Sequence, residues 1–164
     1  MDETDRLARL FRETIAGKPW HGPSLESLLE GVDARAAAAL PLDGAHSIWE
    51  IVLHLTAWTR EVANRLEGKE PRPPAEGDWP ETGPVDEATW NAARADLFSA
   101  HEALIEALAS FPEARLDERV GGERDAPLGT GVSYREMILG VLQHDAYHAG
   151  QVALLKKRSD AHRL

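Results

Sequence analysis

The stretch Met137-Ile138-Leu139-Gly140-Val141-Leu142-Gln143-His144-Asp145-Ala146-Tyr147-His148-Ala149-Gly150-Gln151-Val152-Ala153-Leu154-Leu155 repeats its apolar residues with a helical period. Met137, Val141, His144, His148, Val152 and Leu155 follow one another at intervals of 4, 3, 4, 4 and 3, which is the core-facing stripe of an amphipathic helix. Just upstream, Ser133-Tyr134-Arg135-Glu136 is a capping box, in which the serine hydroxyl and the glutamate carboxylate each satisfy a backbone N–H. The helix is therefore expected to open there and to continue to about Lys157, with Lys156, Lys157 and Arg158 suiting its negative end.

Working outward, three more long helices are expected. The first runs from about Asp2 to Ala16 with Leu7, Leu10, Phe11 and Ile15 on one stripe, and stops at Gly17-Lys18-Pro19. Ser24 caps a short helix from Leu25 to Leu29, and Ala34 to Leu40 forms another before Pro41. The second long helix begins at the capping box Ser47-Ile48-Trp49-Glu50 and ends near Glu67. Asp86 caps the third, which passes through Trp90, Leu97, Leu104 and Leu108 to Phe111-Pro112. No run alternates as a strand would, so the class is all-α.

Two connections are long. Residues 68–84 hold five prolines and three glycines, too rigid and polar for helix and longer than a helix hairpin needs. A second connection, from Pro112 to Val132, contains Gly121-Gly122, Pro127, Gly129 and Gly131 and offers room for functional loops or a short ribbon. A crossover between the second and third long helices lets them run parallel, so the expectation is a four-helix bundle in one domain over residues 1–164.

The 164 residues carry 28 acidic and 18 basic side chains, a net charge of −10, with 43% apolar content and no cysteine. The charge repels phosphate backbones and no basic cluster offsets it, so nucleic acid is excluded as the main partner. No apolar run is long enough to span a bilayer. The start, Met1-Asp2-Glu3-Thr4-Asp5-Arg6, lacks the pattern of a signal peptide, so a cytoplasmic location is expected. Without cysteine there is no disulfide framework and no thiolate ligand, and any metal must sit on histidine or carboxylate.

Two of the apolar-stripe positions on the last helix are histidines one turn apart, His144 and His148. Imidazoles at i and i+4 project to one side and can converge on one ion at about 2.0 to 2.1 Å. Spacing alone is weak, since seven histidines would give about 0.3 such pairs by chance. The second long helix adds His54 on the inward stripe Ile51, His54, Trp58, Val62. Three imidazoles in one small core need many partners, and a shared divalent cation or three separately satisfied histidines both answer that need. Glu50, one turn before His54, and Gln151, three residues after His148, are candidates to orient the ligands; Trp58 is a candidate cavity wall.

The remaining polar residues have plainer expectations. Asp145 replaces the glutamate of an H-E-x-x-H protease motif, which argues against that chemistry, and it reads as a solvated or interhelical carboxylate. His101 lies on the third helix's stripe, from which it could approach the site, and reads first as a partly exposed or satisfied histidine. His21 and His46 precede helix starts, where turn and capping roles are usual, and His162 falls in a terminal tail. Trp20-His21-Gly22-Pro23-Ser24 is distinctive enough to form a pocket wall, while Gly140 and Gly150 mark close helix approach or room for a ligand.

With His54 on the second long helix and His144-x-x-x-His148 on the fourth, the chain resembles the DinB/YfiT-like superfamily, whose members are described as metalloenzymes. The resemblance is carried by Gly44-Ala45-His46-Ser47-Ile48-Trp49-Glu50-Ile51-Val52-Leu53-His54-Leu55-Thr56-Ala57-Trp58 and by Gln143-His144-Asp145-Ala146-Tyr147-His148-Ala149-Gly150-Gln151. It implies an up-down-down-up bundle, a divalent ion held by His54, His144 and His148, and a homodimer. It also implies a small-molecule substrate and chemistry of the kind seen in members that act with low-molecular-weight thiols. Imidazole suits zinc, nickel, copper and iron alike and does not name the metal; zinc or nickel is the expectation, with iron, copper and manganese as alternatives.

Three neutral ligands leave the ion its full charge and an open position, as in catalytic sites. Two reactions follow. In a transferase, an exogenous thiol attacks an electrophile; in a hydrolase, metal-activated water is the nucleophile. A non-catalytic module that uses its histidines to bind metal or ligand is the third expectation.

Overall fold

The computed structural model describes residues 2–161, with side chains for residues 2–158; His162 lies outside the described residues. They form six α-helices: α1 (Glu3–Ala16), α2 (Leu25–Leu29), α3 (Ala34–Ala38), α4 (Ile48–Leu66), α5 (Glu87–Ala109) and α6 (Tyr134–Ala161). A 3-10 turn covers Glu113–Arg115. Among the described residues there is no strand, only two isolated bridges, Arg119 with Ser133 and Asp125 with Thr130, that pinch the 112–132 connection into a small ribbon.

The helix starts follow their caps. Asp2, Ser24, Asp33, Ser47 and Asp86 each accept a backbone N–H of the first turn, and the Ser47–Glu50 capping box is complete. At the start of α6, Ser133 N donates to Glu136 Oε2 at 2.7 Å and Glu136 N to Ser133 Oγ at 3.1 Å. Such a cap stabilises a helix by about 1 kcal/mol. The end of α6 departs from expectation: Lys156 Nζ donates to the carbonyls of Leu28 (3.0 Å) and Glu30 (2.6 Å), so it satisfies the end of α2 rather than of its own helix.

Each of the four long helices packs on two others: α4 on α5 and α6, α1 on α5 and α6. The faces are those the periodicity marks. Ile51, His54 and Val62 on α4 and Met137, Val141, His148, Val152 and Leu155 on α6 are buried. On α1, Leu7, Phe11 and Ile15 are buried but Leu10 is 42% exposed, at the edge of the stripe. The indoles of Trp49 and Trp90 are fully buried and tilted against each other at 5.2 Å. Trp90 Nε1 donates to the carbonyl of Val32, which ties α5 to the α2–α3 segment.

The connection from α4 to α5 retraces α4. Arg72 N donates to Glu61 Oε1 and the Arg72 carbonyl accepts from Arg65 Nη2; further along, Glu76 pairs with Arg60, and Asp78 reaches Trp58 and His54. Glu61 and Arg65 form a buried ion pair one turn apart on α4, at 3.0 Å. That pair clamps the start of the strap, and the five prolines keep the rest extended as it returns toward the start of α4.

The two glycines of α6 have different surroundings from a close helix contact. A Cβ at either Gly140 or Gly150 would meet nothing within 4 Å. Gly150 is exposed in a helix interior, so Gly150→Ala is expected to stabilise the fold by about 0.5 to 1 kcal/mol. That corresponds to a rise of about 1 to 4 °C in Tm, measurable by thermal denaturation.

Candidate metal centre

His54 from α4 and His144 and His148 from α6 meet where those two helices pack. One ring nitrogen of each lies within 4.8 Å of the others. The rings stand edge to face, with centroids 4.9 Å apart for His54 and His144, 4.9 Å for His54 and His148, and 4.6 Å for His144 and His148. The i, i+4 geometry of α6 stacks its two imidazoles one turn apart, and α4 supplies the third from the opposite side.

Hydrogen bonds fix which nitrogens face inward. His54 Nδ1 stands 2.6 Å from the carbonyl oxygen of Asp78, an acceptor only, so Nδ1 carries the proton and Nε2 presents a lone pair. Likewise His148 Nδ1 donates to Gln151 Oε1 at 2.6 Å, leaving its Nε2 bare. His54 Nε2 and His144 Nε2 face each other at 2.9 Å. With a proton on His144 Nε2 this contact is an N–H···N hydrogen bond, and with that proton displaced the two nitrogens stand close to the ~3.3 Å that separates two ligands on one tetrahedral zinc. The donor set therefore fits a divalent cation: three imidazoles that could hold one, no carboxylate among them, and the outer nitrogens of two already paired.

The protonation state agrees with that fit. Burial pushes His144 down to about 4, helped by the neighbouring His148 and His54 rings. Burial also lowers His148, against the bond to Gln151. Both are thus neutral at physiological pH, as ligands must be.

The expected supporting residues separate. Gln151 binds His148 directly. Trp58 acts one step away, its Nε1 donating to Asp78 Oδ1 at 2.6 Å while Asp78 holds His54. Glu50 is occupied in the capping box and its neighbouring imidazole is His46, at 3.7 Å. Trp20 is fully exposed and lines neither cavity that adjoins the histidines.

Three residues at the site were not picked out by periodicity or spacing. Trp79, on the strap, is sandwiched between His46 and His54, with ring separations of 3.5 Å and 4.0 Å and planes within 8° in both cases. Asp78 beside it supplies the carbonyl for His54. His46 is therefore a stacking partner rather than only a turn residue. The only sequence mark of them is a tryptophan between Asp78 and Pro80 in a segment otherwise too polar to be core, which does not say where that segment packs.

Two cavities adjoin the histidines. One, of about 510 Å³, is bordered by His46, Trp79, Tyr147, His148 and Gln151. The other, of about 530 Å³, is bordered by His54, His144, Trp58 and Gly140 and extends to the ribbon at 124–132. Gly140 thus leaves room for a ligand, one of its two expected roles.

His101 and Asp145 lie behind the site. Asp145 is fully buried, an interhelical rather than a solvated carboxylate; its Oδ2 is 3.3 Å from His101 Nε2, and His101 Nδ1 donates to the Leu97 carbonyl at 2.9 Å. No helix among the described residues is long and apolar enough to cross a membrane.

A sequence model of the DinB superfamily matches residues 20–152, a span that holds all three histidines, the strap and the whole lining of the cavity at His54 and His144. No curated protein and no solved structure matches. With most of its length matched, and with three histidines brought together by the matched segments, the chain belongs to the DinB superfamily.

Proposed function

We propose that the protein is a metal-dependent transferase that joins a low-molecular-weight thiol to a small electrophilic substrate, with His54, His144 and His148 as the metal ligands. The observation that carries the reading is the pair of cavities of similar size that reach the same cluster through different members, one through His148 and the other through His54 and His144. Hydrolysis needs space for one organic substrate beside water, whereas transfer between two organic molecules needs two such spaces.

Bound by the three imidazoles, a divalent ion, zinc or nickel by preference, supplies the Lewis acidity that favours thiolate at neutral pH. The chain's own residues do the rest. Asp78 and Gln151 hold the outer nitrogens of His54 and His148, which keeps the inner lone pairs aimed at one point. Trp79 covers His54 and restricts water. In the transfer, the sulfur forms a bond to the electrophilic carbon, the leaving group departs with its bonding pair, and the thiol proton passes to solvent at the open Tyr147 side, where Tyr147 is 65% exposed. The packing of α1, α4, α5 and α6 and the strap retracing α4 support an up-down-down-up bundle as the frame.

The test uses protein purified without a nickel column. Elemental analysis is expected to find near-stoichiometric divalent metal, and conjugation of monochlorobimane across a panel of small thiols is expected to depend on that metal. Turnover of ester substrates with water alone, and no thiol conjugation, would replace the transferase with a hydrolase.

A further inference from the structure

The cavity of about 530 Å³ has the three-histidine site at one end and two arginines, Arg65 and Arg124, in its far wall. We propose that it binds a small molecule with one carboxylate on an apolar body, the carboxylate held by Arg124 and Arg65 and the opposite end directed at the metal; the inference rests on the metal reading above.

Arg65 is only 2% exposed and its guanidinium is already aligned: Nε donates to Glu61 and Nη2 to the Arg72 carbonyl. Its Nη1 is turned to the cavity wall, 3.6 Å from the Cβ position of Gly129. Arg124 is exposed on the ribbon and spends one donor on the Thr130 carbonyl, at 3.2 Å, while its charge also acts on Glu136 across the cavity. The ribbon is closed tightly behind it: Gly131 has a φ of +73°, and a Cβ there would stand 2.6 Å from the Arg124 Cα. Only glycine permits that approach, so Arg124 is held on the cavity rim.

Charge selects the class of ligand. The acidic groups at the cavity are committed: Glu61 to Arg65, Asp78 to Trp58, and Glu136 to Ser133. With a divalent ion present, the charges of these three carboxylates and two arginines leave the cavity one positive charge in excess. A monoanion neutralises it, and the planar fork of arginine matches a carboxylate. Between the ends, Val62, Leu128, Val132, Met137 and Val141 form an apolar wall. His54 and Arg65 are eleven residues apart on α4, about 16 Å along the axis, and their side chains reduce the gap to on the order of 10 Å. A chain of about six carbons spans it.

The experiment is calorimetric titration of the zinc-loaded full chain at pH 7.5 with 6-mercaptohexanoate and, separately, with 6-mercaptohexan-1-ol, its neutral counterpart. The carboxylate is expected to bind at least tenfold more tightly. Arg124→Gln, at an exposed position, is expected to bring the two within twofold while leaving the alcohol's Kd unchanged. Equal affinity of the two probes on zinc-loaded wild type, or a preference that Arg124→Gln leaves intact, would overturn the assignment. Elemental analysis of the same sample separates the causes: zinc retained without carboxylate preference defeats this inference alone, while failure to take up zinc defeats the metal reading and this inference with it.

Discussion

His148→Ala is expected to lower zinc affinity by more than 100-fold and to leave the purified protein without stoichiometric metal. The variant removes one of three imidazoles whose nitrogens lie within 4.8 Å of one another and leaves a pair one turn poorer in chelation. Loss of a group that merely orients a ligand costs about 10- to 100-fold in affinity, and loss of the ligand itself costs more. Gln151→Leu provides the graded control, because it keeps all three rings and removes only the acceptor for His148 Nδ1, at 2.6 Å in the wild type. Its expected affinity loss falls in that 10- to 100-fold range. Metal that binds the native state adds about 2.7 kcal/mol of stability at 100 times its Kd, so zinc should raise the Tm of the wild type and not that of His148→Ala. Full metal retention by His148→Ala, measured by elemental analysis, would remove His148 from the ligand set.

The parts of this architecture that were legible beforehand are those governed by local periodicity. Helix starts were readable because Ser47, Asp86 and Ser133 are short polar side chains at the first free N–H groups, and the structure uses each for that purpose. The three histidines were readable because a polar residue on an apolar stripe at helical spacing stands out, and His54, His144 and His148 do converge. What stayed hidden depends on contacts distant in the chain. The strap has no period, so nothing local indicated that Asp78 and Trp79 would fold back to His54 across 24 and 25 residues. Asp145 was legible only as one of two alternatives, solvated or interhelical, and what decides between them is not local. It sits about 100° round the helix from His144, a position that faces water on an isolated amphipathic helix. Here α6 packs on both α4 and α1, so residues flanking the stripe are buried too, and a carboxylate there requires a cation from another helix. His101 on α5 supplies it.

That pair leads to an asymmetric expectation: His101→Leu should destabilise the metal-free protein by about 3 to 5 kcal/mol, and Asp145→Asn by clearly less. Both side chains are buried, with 1% and 0% exposure, and Asp145 Oδ1 already lacks a hydrogen-bond partner. Removing the imidazole strands a carboxylate that cannot reach water. Removing the carboxylate's charge is milder, because the imidazole can shed its proton and keep Nδ1 on the Leu97 carbonyl, with the Thr59 hydroxyl 3.4 Å from Nε2. The pH dependence follows from the same pair. Burial disfavours the charged imidazole, but the attraction of Asp145 and the bonds to Asp145 and Leu97 outweigh it, so the folded pKa is raised above the ordinary 6.5. A raised pKa means that the folded state binds the proton more tightly than the unfolded chain does. The pair's contribution is therefore complete below pH 6.5 and is lost as pH rises through the folded value. Guanidinium denaturation of metal-free protein between pH 6 and 9 should show this alkaline decline in the wild type and its disappearance in Asp145→Asn. An unchanged slope in Asp145→Asn, or a His101→Leu variant no less stable than Asp145→Asn, would show that the two groups do not act as a charged pair.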